Sequence, residues 1–65
     1  MILKVNNNDN FNLSLKLQID YDNEYIEFLV ILDNKINHMR KMDIFRADGF
    51  KKALQKFREY EQFIF

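Results

Sequence analysis

The chain reads as an α+β fold: a small antiparallel β-meander of three to four strands, then one C-terminal amphipathic helix packed on one face, in the order ββββα. Three features predict it. Phe11, Leu13, Leu15, Leu17, Ile19 and Tyr21 take every odd position of an eleven-residue run, with Asn12, Ser14, Lys16, Gln18 and Asp20 between them. Polar clusters rich in Asn and Asp interrupt the first half of the chain at short intervals. The last fifteen or so residues carry their apolar groups at helical rather than alternating spacing.

The first strand is Met1-Ile-Leu-Lys-Val5, and Asn6 to Asn10 is the loop that ends it. Asn and Asp tolerate left-handed backbone and bond to their own chain, which makes such a cluster a turn. The alternating run is the second strand. Side chains on a strand switch faces at each residue, so this one has a greasy side and a wet side. Asp22-Asn23-Glu24 is the second turn. Tyr25 to Leu32 is the third strand, and it is apolar on both faces.

Pairing Tyr21 with Ile26 places Ile26, Phe28, Val30 and Leu32 on the face of Leu15, Leu17 and Ile19. A slip of one residue would bring Glu27 onto that face, so burial selects this phase. Leu29 and Ile31, with Tyr25 and Glu27, then point the other way. They form a second apolar row that one helix cannot also cover.

Asp33-Asn34 is read as the third turn. Lys35 to Arg46 admits two readings. As a strand, best supported over Lys41 to Phe45, it carries Ile36, His38, Arg40, Met42 and Ile44 on one face. As a helix, it carries Ile36, Met39 and Met42 or Asp43 on one side. The strand reading is preferred. A tight turn at Asp33-Asn34 sets Ile36, Met42 and Ile44 beside Leu29 and Ile31, and a three-residue turn sends them to the core. Asp48 is the expected helix N-cap. Phe50, Leu54, Phe57 and Ile64 are the face that meets the sheet, and Gln62 to Phe65 is free to extend beyond the helix.

Sixty-five residues make one domain, 1–65, near the size at which a single core barely suffices. There is no cysteine, so neither disulfides nor thiolate metal sites can form. One histidine, His38, does not make a structural zinc site. No metal and no cofactor are expected. The apolar start of five residues is short of a signal peptide, and no run approaches a membrane span of roughly 18 residues. The expectation is a soluble, cytoplasmic chain that does not engage a membrane. The wealth of Asn, Ile and Lys, with no Pro, Trp, Cys or Thr, reads as the coding bias of an AT-rich genome.

The formal net charge of zero conceals a split. Residues 1–34 hold two bases against six acids, and residues 35–65 hold eight bases against four acids. An acidic hairpin beside a basic helix would neutralise this internally. Two opposite poles would instead steer a charged partner.

Catalysis has no motif behind it. Ser14 is the only Ser or Thr, lies in mid-strand and has no Gly-x-Ser-x-Gly elbow. His38 has no recognisable nucleophile. The acids from Asp20 to Glu27 lack the spacing and glycine of a calcium loop, and a single glycine cannot build a phosphate loop. The chain is not expected to be an enzyme.

The expected function is therefore a non-enzymatic protein-binding module, an inhibitor or blocker of a larger protein of the kind encoded by phage or mobile elements (anti-defence or immunity-type). Strands followed by one amphipathic helix also build many unrelated small modules, so this is fold-level analogy. The surplus row is the partner surface: Tyr25, Leu29 and Ile31, with Ile36 and Met39. Arg40, Lys41, Lys51, Lys52 and Lys56 are the candidate charged contacts. The alternative is a homodimer that binds nucleic acid or regulates through the basic C-terminal half.

Overall fold

The computed structural model describes all residues from Met1 to Phe65. Four strands, β1 (Ile2–Asn7), β2 (Phe11–Asp20), β3 (Tyr25–Asn34) and β4 (Arg40–Arg46), form one antiparallel sheet in sequential order. A single 3₁₀ turn over Ala47–Gly49 leads into helix α1 (Phe50–Ile64). The ββββα meander is the fold read from the sequence. The fourth segment is a strand and not a helix.

Hairpin connections keep neighbouring strands adjacent, and each one closes with the same device. Asn8 Oδ1 accepts the amides of Asn10 and Phe11, both at 2.8 Å. Asp20 Oδ1 accepts those of Asp22 and Asn23, both at 3.1 Å. Asn34 Oδ1 accepts those of Ile36 and Asn37 at 2.9 and 3.3 Å. Each is an Asx turn, in which a short side chain stands in for a backbone carbonyl.

These turns fall later or earlier than the polar clusters suggest. Asp33 and Asn34 belong to β3, and the loop is Lys35–Met39, with His38 at φ 59°. Across the second turn Ile19 pairs with Ile26, not Tyr21 with Ile26. The register is thus two residues from the expected one, because the Asp20 carboxylate already starts the turn at Tyr21. A shift of two preserves every face assignment.

The greasy face is closed by α1. Leu13 and Leu15 of β2, Val30 of β3, and Ala53 and Phe57 of α1 are the fully buried core, with Phe28, Leu32, Phe45, Leu54 and Tyr60 packed around them. Phe50 packs against Phe28 with ring centroids 5.1 Å apart and the rings tilted by 56°. At the other end of α1, Asn6 Nδ2 donates to Glu61 Oε2 at 2.9 Å, and Asn8 Nδ2 donates to the Ile64 carbonyl at 3.3 Å. The helix therefore crosses the sheet from the β4 exit to the β1–β2 loop.

Its start and end both differ from the expectation. Asp48 lies within the 3₁₀ turn and Gly49 takes the N-cap position without a side-chain cap. Gln62, Phe63 and Ile64 continue the helix, and the Phe65 amide still bonds to the Glu61 carbonyl at 2.9 Å.

Candidate functional site

The face of the sheet opposite α1 has no cover within the chain. Two rungs cross its middle that are apolar on β1, β3 and β4 and polar on β2. Val5, Ser14, Ile31 and Met42 pair in one, and Ile2, Lys16, Leu29 and Ile44 in the next. Polar rungs bound them on either side. Asn7, Asn12, Asp33 and Arg40 form one boundary, and Gln18, Glu27 and Arg46 the other.

Leu29 and Ile31 are at the centre of this face, as expected, but they are not its exposed part. Only 7 % and 3 % of their surfaces meet solvent. Cross-strand neighbours stand within contact distance of a central side chain and wall it in. Half-buried Lys16 flanks Leu29 on one side and Ile44 on the other; its aliphatic stem can lie along the leucine while the ammonium reaches water. The exposed apolar surface is the surrounding rim: Ile2 and Ile44 at 59 %, Val5 at 56 % and Met42 at 44 %.

Ile36 and Met39 do not join this surface. Both are exposed in the β3–β4 loop, because that loop is five residues long and not the tight turn that would have carried Ile36 into the strand. Tyr25 does share the open face, at its far end, where it pairs with Asp20. A cleft of ≈ 500 Å³ opens there, lined by Tyr25, Ile26, Glu27, Arg46, Ala47 and Asp48. The negative charges of Glu27 and then Asp20 raise the Tyr25 phenol above its ordinary value, so it remains neutral.

The charged candidates separate into different places. Arg40 lies on the open face, bonded through Nε to Asp33 Oδ1 at 2.6 Å and through Nη2 to Oδ2 at 3.2 Å. That hydrogen bond and the carboxylate charge raise its guanidinium further. Lys41 and Lys56 lie on the helix side, with their ammonium groups 5.7 and 5.8 Å from the Tyr60 ring centre. Lys51 and Lys52 are exposed in the first turn of α1. The bases therefore do not converge on one surface.

The sequence reading missed Ile2 and Val5. They share a face although only two residues, Leu3 and Lys4, separate them, an odd spacing made possible because the β1–β2 register shifts between Ile2 and Lys4. Such a bulge breaks simple alternation and hides the phase of a short strand. Met42 and Ile44 carried a clear signal in their period-two spacing.

Other chemistry is sparse. Ser14 is buried in the ladder between Val5 and Ile31 rather than beside a base. No three His, Asp or Glu side chains cluster as a metal ion would require. No helix is long and apolar enough to cross a membrane. Compared with protein-family models, curated proteins and solved structures, the chain matches none.

Proposed function

We propose that the chain is a non-catalytic protein-binding module that acts through the open face of its sheet, as an inhibitor or blocker that covers a surface of a larger protein. The observation that carries this reading is the pair of apolar rungs around Leu29 and Ile31. Their rim residues Ile2, Val5, Met42 and Ile44 stay 44–59 % exposed, and the only helix is committed to the other face. A contiguous apolar patch bounded by polar residues marks an interaction surface, whereas scattered apolar residues do not. Buried Leu29 and Ile31 give the patch a rigid floor, and the half-exposed rim supplies the contact.

Surface area supports the same reading. A compact 8.0 kDa chain exposes roughly 4,450 Å² by the usual mass scaling. This one exposes 4968 Å², as expected of a plate measuring 36 × 22 × 15 Å with one bare side. The dispersed bases give no comparable support to nucleic-acid binding, which needs a continuous basic track.

The test is capture of a partner protein from a bacterial lysate by the wild-type chain and by Met42→Asp with Ile44→Asp. Both residues are partly exposed, and circular dichroism of the double variant establishes that it is folded before capture is read. Capture should be lost with the double variant and kept with the helix-side control Lys52→Asp. Equal capture by all three proteins would refute the open face as the binding surface.

A further inference from the structure

We infer that in the free protein the β3–β4 half of the open face is covered by a second copy of the chain, in an isologous sheet-on-sheet dimer whose two-fold axis runs parallel to the strands between β3 and β4. This rests on the open face being the protein-binding surface and adds its occupant.

The charge layout of the face carries the inference. At one end Asp33 pairs across the ladder with Arg40, and at the other Glu27 pairs with Arg46. Between these mixed-charge pairs the two β3–β4 pairs are uncharged, Ile31 with Met42 and Leu29 with Ile44, while Lys16 lies one strand further out on β2. In both charged rungs the acid is on β3 and the base on β4.

A rotation of 180° about an axis parallel to the strands exchanges β3 with β4 and leaves each rung at its own level. Asp33 then meets the partner's Arg40, and Glu27 meets the partner's Arg46. Ile31 meets the partner's Met42, and Leu29 meets the partner's Ile44. An axis perpendicular to the strands would set Asp33 against the partner's Glu27 and Arg40 against the partner's Arg46. Like charges juxtaposed across an interface cost several kcal/mol. The face is thus complementary to itself in one orientation and repels itself in the other, as an isologous interface requires. Packed sheets keep their strands within about 30° of each other, so the rungs stay in register over this short patch.

The contact is confined to two strands of each chain, and small interfaces are the weak and transient kind, so the association needs a high chain concentration to show. A blocked target and a second copy then compete for one face, so target occupancy rises less than in proportion to the total chain once dimers form.

The experiment is light scattering and sedimentation of the full chain from about 1 μM to about 1 mM. The mass should rise from 8.0 kDa to twice that value. Met42→Asp with Ile44→Asp should stay monomeric throughout. Arg46→Glu alone should weaken association by at least about tenfold, because symmetry counts the reversed pair twice. Adding Glu27→Arg to it should restore wild-type association. A wild-type chain that is monomeric at the highest concentration overturns the dimer and leaves partner capture through the face standing. A dimer indifferent to both sets of variants overturns the dimer as drawn and counts against the face itself. Single and double charge variants of equal affinity refute the proposed axis.

Discussion

The Tyr60 hydroxyl donates a 2.7 Å hydrogen bond to Asp43 Oδ2, joining the last turns of α1 to the middle of β4. Asp43 sits opposite Val30, so it points to the helix side of the sheet, where an unpaired carboxylate would be costly. The bond gives that carboxylate a partner and fixes the angle at which α1 leaves the sheet. Lys41 and Lys56 flank the ring and add cation–π contact from both elements.

Tyr60 makes stability fall in alkali. Burial, and then the bond to Asp43, push its phenol up to about 12, from an ordinary value of 10.0. The folded state thus holds this proton more tightly than the unfolded state does. The resulting stabilisation is fully present below pH 10 and is lost as pH rises towards 12. Because the residue is only partly buried, it amounts to about 1 kcal/mol rather than the full shift. Tyr60→Phe should cost about 1 kcal/mol at pH 7 through the lost hydrogen bond. The wild-type advantage over Tyr60→Phe should then shrink between pH 10 and 12, as measured by urea unfolding.

The centre and the rim of the open face should respond differently to substitution. Ile31→Ala removes a side chain only 3 % exposed and should cost about 2–4 kcal/mol. Ile44→Ala alters one that is 59 % exposed and should cost under about 1 kcal/mol. Thermal unfolding of both variants checks this. Equal losses at concentrations low enough for the chain to be monomeric would mean that the face is already packed against something within the chain.

This contrast also marks what the sequence could reveal. The alternation from Phe11 to Tyr21 fixed which residues of β2 and β3 meet the helix, since period two survives even a register error of two. The uncovered row on β3 was equally legible. What escaped was its degree of exposure, because Leu29 and Ile31 are shielded by neighbours on other strands, Ile44 and Met42 among them. The loop after β3 escaped for another reason. Asn34 ends a strand and starts an Asx turn at once, so composition alone could not place the boundary. Helix capping failed because Asp48, a favourable cap by residue type, is held in a 3₁₀ turn one residue too early.

The Asx turns should contribute individually. Asn8→Ala removes an acceptor for two backbone amides and also the amide tie to the Ile64 carbonyl. Asn34→Ala removes an acceptor for two amides alone. Each net hydrogen bond contributes about 1 kcal/mol. Asn8→Ala should therefore be the more destabilising and should fray the C-terminal turn of α1, as read by hydrogen exchange at Ile64 and Phe65.

Asp20 gives the second turn an acid sensitivity. The Asn23 side chain, and then its backbone amide, hold this carboxyl below its ordinary value. A depressed carboxylate stabilises the fold above its unfolded pKa and ceases to do so as pH falls through the folded one. Protonation should loosen the hairpin tip at Tyr21–Glu24. Asp20→Asn keeps an acceptor oxygen without the charge. The protection of the Asp22 and Asn23 amides, taken relative to their intrinsic exchange at each pH, should fall on acidification in the wild type and change little in Asp20→Asn.

Gly49→Ala should not give the usual gain from removing a glycine. That gain, about 0.4–1 kcal/mol, comes from restricting the unfolded chain and requires a native site that accepts a side chain. The Gly49 backbone, at φ −98° and ψ 20°, would tolerate one. The obstacle is packing, because a β-carbon there would lie 3.1 Å from the β-carbon of Phe45. A β-carbon is fixed to its backbone and cannot swing aside as the end of a long side chain could. Phe45 is itself packed against the core beneath α1, so relief would require the 3₁₀ turn to move off β4. The variant should unfold at a denaturant concentration equal to or lower than the wild type, with a net loss of up to about 1 kcal/mol. A clear increase would show that the junction between β4 and α1 yields more easily than its contacts imply.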